Sequence, residues 1–300
     1  MSTAQTIARK LTRRNPVLKS VLSATHHILL DRSVPVSYKV MRGVCRFDTL
    51  RRMVLAFKRE RIDLGSPSSE IILGGSHAQI IAELQRDGLA LGLEINESLL
   101  NSVRSYCATS PATTDTGEAV VIVEGVEHAP IPGRFLYRYK DLHKHVPAVA
   151  ALASDPFLMA IVTEYLGMKP VLLGSRAWWS YPPPPSDSAA GQPCEFGFHY
   201  DIDDYRFIKL FIYLNDVDAA SGPHVAISGT HRSKSLFEKM NRRISDEVAE
   251  KRYKNSICIV TGKAGTAFFE DTFCYHKGTL PQKPRFIMEL EFGTRIFRSA

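Results

Sequence analysis

The amino-acid sequence predicts a mainly β domain over residues 71–300, a jelly roll with helices covering one outer face, behind a helical extension over residues 1–70. Three observations carry this expectation. From residue 170 onward, seven short apolar runs are separated by Gly, Pro, Asn or Asp. Between residues 76 and 167 the apolar spacing is mostly helical instead. The first 62 residues hold 14 Lys and Arg against 3 Asp and Glu, whereas the remaining 238 hold 24 against 28, so the net charge of +7 belongs to the N-terminal segment.

In chain order, residues 1 to about 70 read as basic helices broken at Pro16 and Pro35, ending in the turn-like stretch from Leu64 to Ser69. Ile80, Ile81 and Leu84, followed by Arg86-Asp87-Gly88 and then Leu89 and Leu91, predict an amphipathic helix, a tight turn and a short strand. Leu99, Leu100 and Val103 place a second helix over Asn96 to Tyr106, and Ala119 to Val123 reads as a strand. Two more helices fit residues 140–167, with Phe157, Leu158, Ile161, Val162 and Leu166 as a core stripe stopped by Gly167. The strands beyond are expected at Val171–Leu173, Ala177–Trp179, Phe207–Leu214, His224–Ile227, Ser256–Val260, Thr266–Phe269 and Phe286–Phe292. A Pro-rich loop from Pro182 towards Gly191 is expected at the mouth of the barrel. Such short strands behind a helical layer fit a jelly roll.

Composition narrows the classes. The sequence has no apolar run of about eighteen residues, the length a spanning helix needs. The five cysteines are scattered without C-x-x-C spacing, which argues against a zinc site or a disulfide framework and for a reducing, cytoplasmic setting. Arg9, Lys10, Arg13, Arg14 and Lys19 are interleaved with apolar residues but not with aromatics. That pattern suits packing on the domain, contact with a partner protein, or peripheral contact with an anionic membrane, and offers no nucleic-acid recognition motif.

The chemistry-bearing pattern begins at Phe198-His199-Tyr200-Asp201, continues 75 residues after Asp201 at His276, and reaches Arg285 nine residues further on. Residues two apart on a strand point the same way, so His199 and Asp201 can both aim into the barrel. Among the downstream histidines, His224 and His231 flank one short strand, whereas His276 precedes an Arg at a strand start; His276 is therefore the expected third ligand, with His224 and His231 in surface or hydrogen-bonding roles. Two imidazoles and one carboxylate on one face of Fe(II) leave three positions for a chelating keto acid and O2. Arg285 shares its strand face with Ile287 and Glu289, and a guanidinium fork inside a barrel needs an anion, for which the far carboxylate of 2-oxoglutarate is suited. Thr279 is expected to add a hydroxyl donor there. Lys209, sharing a strand face with Phe211 and Tyr213, is expected either at the rim or on an anionic group of substrate or co-substrate. Trp178 and Trp179 lie one to a face, so at most one lines the pocket; with Phe211 and Tyr213 they suggest an apolar part of the substrate.

These residues resemble the phytanoyl-CoA dioxygenase family of Fe(II)/2-oxoglutarate oxygenases. The matching features are Leu84 to Gly88, Ser154-Asp155-Pro156-Phe157-Leu158 leading to Tyr165-Leu166-Gly167, Phe198 to Asp201, Leu214 to Asp218 with Gly222, Ser228 to His231, and His276 to Thr279 with Arg285. They span about residues 76–297 in the family's order. Lys277 departs from the usual His-Gly-Ser stretch, and the interval from His276 to Arg285 is slightly short. The resemblance implies a cupin-like double-stranded β-helix, iron at His199, Asp201 and His276, and 2-oxoglutarate at Arg285. The activity it implies is oxidation of a C–H bond of a small organic substrate, commonly hydroxylation, with release of succinate and CO2. Asp201 disfavours chlorination, which in a related halogenase needs that place vacant. Two alternatives stay open: a non-catalytic jelly-roll binding protein, and a cupin-like iron enzyme that does not use 2-oxoglutarate. Fold does not choose the substrate.

Overall fold

The computed structural model describes residues 35–56, 67–123, 128–183 and 196–294. The basic stretch before Pro35, the first half of the Leu64–Ser69 turn, the Pro-rich loop beyond residue 183 and Cys194 lie outside these residues.

Helices α1 (Val36–Val44) and α2 (Asp48–Ala56) precede a short strand β1 (Ile72–Leu73). Helix α3 (His77–Asp87) starts where the Ser76 side chain accepts the Gln79 N–H. It ends at Gly88, whose φ of +70° favours glycine, and an added Cβ there would lie 2.6 Å from both Cys274 Sγ and His231 Nδ1. Strand β2 (Leu89–Ile95) follows, then α4 (Glu97–Thr109), capped by Asn96 on the Leu99 N–H. Strands β3 (Pro111–Thr113), β4 (Ala119–Val121) and β5 (Leu136–Lys140) lead into three helices, α5 (Leu142–His145), α6 (Pro147–Ala153) and α7 (Pro156–Leu166), where two were expected. The Asp155 side chain accepts from the N–H groups of Phe157 and Leu158, and Pro156 occupies the first helical turn, which fixes the start of α7.

Strand β6 (Val171–Ser180) is one continuous strand where the sequence suggested two, because Gly174 to Arg176 pair on both sides or on β12 despite their weak apolar pattern. Strands β7 (Phe207–Tyr213) and β8 (His224–Ile227), helices α8 (Leu236–Met240) and α9 (Asp246–Tyr253), and strands β9 (Ile257–Val260), β10 (Thr266–Glu270), β11 (Tyr275–Gly278) and β12 (Arg285–Gly293) complete the order. The strands form a nine-stranded sheet, β1-β2-β10-β7-β12-β6-β5-β3-β4, and a three-stranded sheet, β11-β8-β9. Every pairing is antiparallel. The fold is the expected cupin-like jelly roll, a large antiparallel sheet with helices packed on its outer face.

Alternation along each strand divides the interior into layers. Outer residues such as Leu210, Ile212, Phe269, Met288 and Leu290 join Ile80, Leu84, Leu158 and Ile161 of the helices in one apolar core. Inner residues Phe211, Tyr213, Phe268 and Ile287 meet Ala226 and Val260 of the small sheet. A third cluster lies behind that sheet, where Met41 and Cys45 of the first helical hairpin pack with Phe198, Tyr200, Phe207, Phe273 and Tyr275. Residues 35–45 are therefore docked on the barrel: Arg42 Nη1 donates to Ile202 O at 2.9 Å. Among the described residues no single helix is long and apolar enough to cross a membrane; α6 and α7 qualify only together, bent by 45°.

Candidate functional site

The first two candidate ligands lie on the segment entering β7, and the third lies on β11. His199 and His276 form an isolated antiparallel bridge, with His199 N donating to His276 O at 3.0 Å and His276 N to His199 O at 2.8 Å. This reciprocal pair brings the two rings to 4.4 Å between centroids. Asp201, whose N–H donates to Thr272 O at 2.8 Å, completes the set. One ligand atom from each of His199, Asp201 and His276 lies within 4.8 Å of the others. Asp201 Oδ1 is 3.8 Å from His199 Nε2, and Oδ2 is 3.6 Å from His276 Nε2.

The opposite nitrogens fix the rings. His199 Nδ1 lies 2.8 Å from Gly197 O, and His276 Nδ1 lies 3.1 Å from Cys274 O. A carbonyl only accepts, so Nδ1 carries the proton and each Nε2 presents its lone pair to the centre. Burial, then the neighbouring His199, pushes the His276 pKa down to about 4, which keeps it a neutral ligand near pH 7. For Asp201 burial acts the other way, but Lys209 and the two imidazoles outweigh it and hold the carboxyl well below its usual range.

These residues open onto a cavity of about 320 Å³. Trp178, Phe211 and Ile287 supply apolar wall, and Arg138, Lys140 and Arg242 add positive charge. Trp178 faces this cavity while Trp179 turns outward and stacks on Phe286 at 4.3 Å, the one-to-a-face arrangement expected of neighbours on a strand. Phe211 packs between His224 and Phe268, with centroids 5.0 and 5.2 Å away.

Arg285 lines the cavity and is 4% exposed. Its Nη1 donates to Gly222 O, its Nη2 lies 3.3 Å from Ser180 Oγ, and its Nε has no hydrogen-bond partner. No carboxylate among the described residues pairs with it, and burial lowers its pKa. Gly278 permits this placement: an added Cβ would lie 3.0 Å from Arg285 Nη2.

Two expectations are corrected. The Thr279 hydroxyl donates to Pro223 O at 2.9 Å and does not line the cavity, so its one proton is committed to the backbone turn. Lys209 does not reach the rim: it lines the cavity, is 6% exposed and donates to Asp201 Oδ2 at 2.8 Å, with Asp203 at 3.6 Å. Its partner is the candidate ligand itself. His231 is buried with its Nδ1 3.6 Å from Cys274 Sγ and is not one of the three clustered ligands.

The sequence reading missed Glu270. It is fully buried on β10, opposite Lys209 in the β10–β7 register, and its Oε2 lies 2.6 Å from His224 Nε2. Burial pushes Glu270 up to about 7 and His224 down to about 3, so below pH 7 the pair holds the carboxyl proton and no net charge. Glu270 Oε1 faces His276 Nδ1 at 3.9 Å. An acidic residue closing a buried apolar strand was the available signal. Glu289, on the same strand face as Arg285, lines the cavity and accepts from Arg176 Nε at 2.6 Å.

No family model matches the chain, and no curated protein matches it. Solved structures do resemble it. The iron-bound EctD from S. alaskensis is 19% identical with a TM-score of 0.50, covering 79% of this chain and 83% of that one. HygX from Streptomyces hygroscopicus, with nickel and 2-oxoglutarate bound, is 17% identical with a TM-score of 0.49, covering 75% and 89%. The non-haem α-ketoglutarate-dependent epimerase SnoN from nogalamycin biosynthesis is 14% identical with a TM-score of 0.49, covering 72% and 82%. At 19% identity the likeness to EctD bears on the fold alone.

Proposed function

We propose that this chain is a non-haem Fe(II)- and 2-oxoglutarate-dependent oxygenase that oxidises a C–H bond of a small organic substrate. The observation that carries the reading is the meeting of His199, Asp201 and His276 in the cavity that also contains Arg285, a buried guanidinium without a carboxylate partner. EctD with bound Fe, and HygX with 2-oxoglutarate, have the same fold class or a similar chain trace, which is consistent with it.

The donor set fits the metal: two neutral imidazoles and one ionised carboxylate suit Fe(II) with positions left open. Bound there, Fe(II) with 2-oxoglutarate and O2 would supply the oxidising chemistry, 2-oxoglutarate leaving as succinate and CO2. The protein does the rest. Gly197 O and Cys274 O hold the tautomers, Lys209 keeps Asp201 ionised, and Gly222 O and Ser180 Oγ fix the Arg285 fork to receive the far carboxylate of the co-substrate. Trp178, Phe211 and Ile287 exclude water beside the reacting C–H bond. Placement within the phytanoyl-CoA dioxygenase family rests on the sequence motifs, and a cytoplasmic setting on cysteines that are free wherever described, Cys45, Cys107, Cys258 and Cys274.

Anaerobic titration with Fe(II) and then 2-oxoglutarate tests the reading. A weak visible charge-transfer band should appear on adding the keto acid and vanish in Asp201→Ala. Succinate release in a screen of candidate substrates then identifies turnover. Tight iron binding with no effect of 2-oxoglutarate would leave the cupin-like alternative standing in its place.

A further inference from the structure

A second hollow, of about 350 Å³, shares no lining residue with the iron cavity. Four arginines meet there from three distant stretches: Arg51 and Arg52 on α2, Arg206 just ahead of β7, and Arg232 beyond β8. One carboxylate faces them, that of Asp271, and it is 2% exposed and already accepts from the Tyr165 hydroxyl and the Phe273 N–H. Arg52, Arg206 and Arg232 make no ion pair with any described residue. His231 also lines the hollow, where burial lowers its pKa and leaves it neutral near pH 7.

Three of the forks are positioned by neutral groups. The Arg51 guanidinium lies over the Phe273 ring at 4.3 Å, Arg206 lies over the Tyr165 ring at 4.5 Å, and Arg232 Nη1 donates to Gln85 O at 2.6 Å. Gathering like charges around a concave surface is unfavourable unless a counter-charge enters, and the surrounding low-dielectric wall strengthens both effects. Planar guanidinium forks match the paired oxygens of a phosphate, and several forks facing one hollow suit more than one phosphoryl group. The volume falls within the range of small-molecule sites. We propose that this hollow binds a phosphate-bearing anion, with a diphosphate as the best match to its charge.

The test uses the full chain loaded with Fe(II) and saturating 2-oxoglutarate, so that Arg285 is already occupied, with pyrophosphate titrated by calorimetry. Saturable binding, competed by inorganic phosphate and by salt, is expected. Arg52 and Arg232 are exposed, so the double variant Arg52→Gln/Arg232→Gln should fold and turn over 2-oxoglutarate normally while weakening pyrophosphate roughly tenfold or more. Arg206→Gln should weaken it separately. Sedimentation with phosphatidate-containing vesicles distinguishes the carrier: pelleting that the double variant loses, without pyrophosphate binding, assigns the phosphate to a lipid headgroup. Absence of saturable binding in both arms, affinity unchanged in the double variant, or loss in Arg285→Ala instead would each overturn the proposal.

Discussion

Along β12, Phe286, Met288, Leu290 and Phe292 pack beneath the helices, whereas Arg285, Ile287, Glu289 and Glu291 point the opposite way, and all eight are buried. β7 repeats the division, with Ile208, Leu210 and Ile212 on the outer face and Lys209, Phe211 and Tyr213 on the inner. The outer face is held by volume and contact, so one aliphatic residue can stand in for another at modest cost. On the inner face Glu289 and Glu291 are matched by Arg176 and Lys209 by Asp201, so losing one partner strands another in a dry interior, while Arg285 is buried without a carboxylate among the described residues. Burial alone therefore does not tell a structural position from a functional one; the partner list does.

The sharpest break between the faces comes from the ligands. Asp201→Ala or His276→Ala should abolish iron retention and succinate formation; the thermal midpoint should stay nearly unchanged in His276→Ala but fall in Asp201→Ala, which strands the buried Lys209 ammonium, as metal analysis beside a melting curve will read. Iron at full stoichiometry in His276→Ala would move the third ligand elsewhere. On the outer face, Leu290→Ala should cost about 2–5 kcal/mol of stability, measured by denaturant unfolding, with iron affinity retained. A comparable loss of iron affinity would mean that the faces are not separable. Arg285→Ala should raise the 2-oxoglutarate concentration needed for half-saturation roughly tenfold to a hundredfold, as expected for hydrogen bonds to a charged group, without changing iron affinity.

The smallest effect concerns acid. His224, with its folded pKa lowered to about 3 from an ordinary 6.5, contributes stability above 6.5 that is lost as pH falls. Glu270, raised to about 7 from 4.5, contributes stability below 4.5 that is lost as pH rises through 7. Between 4.5 and 6.5 folded and unfolded states hold one proton each on this pair, so the two slopes cancel. In metal-free protein, Glu270→Gln removes one slope, and acid destabilisation should then begin near 6.5 instead of below 4.5. Unfolding curves across this range check it, and an unshifted onset would mean that the pair is ionised.

Much of this was legible in the chain itself. The alternation from Arg285 to Phe292 announces a strand with two different faces, and His199-x-Asp201 announces two side chains on one side. The rest depends on register. Lys209 lies opposite Glu270 on one neighbour and Glu291 on the other, and no local pattern tells that its amine will settle on Asp201. β11 was missed because Tyr275 to Gly278 lacks an apolar alternation; pairing with β8 makes it a strand. Thr279 was misread because its hydroxyl serves a turn formed 56 residues earlier in the chain.

The two reciprocal backbone bonds between His199 and His276 carry a last consequence. They tie the segment before β7 to β11 through the backbone and require nothing from a cation, so the imidazoles are already gathered when the chain finishes folding. A chelator should strip such a centre without melting the barrel, and adding the ion back should restore it within the mixing time, making the protein a vessel that can be emptied and refilled.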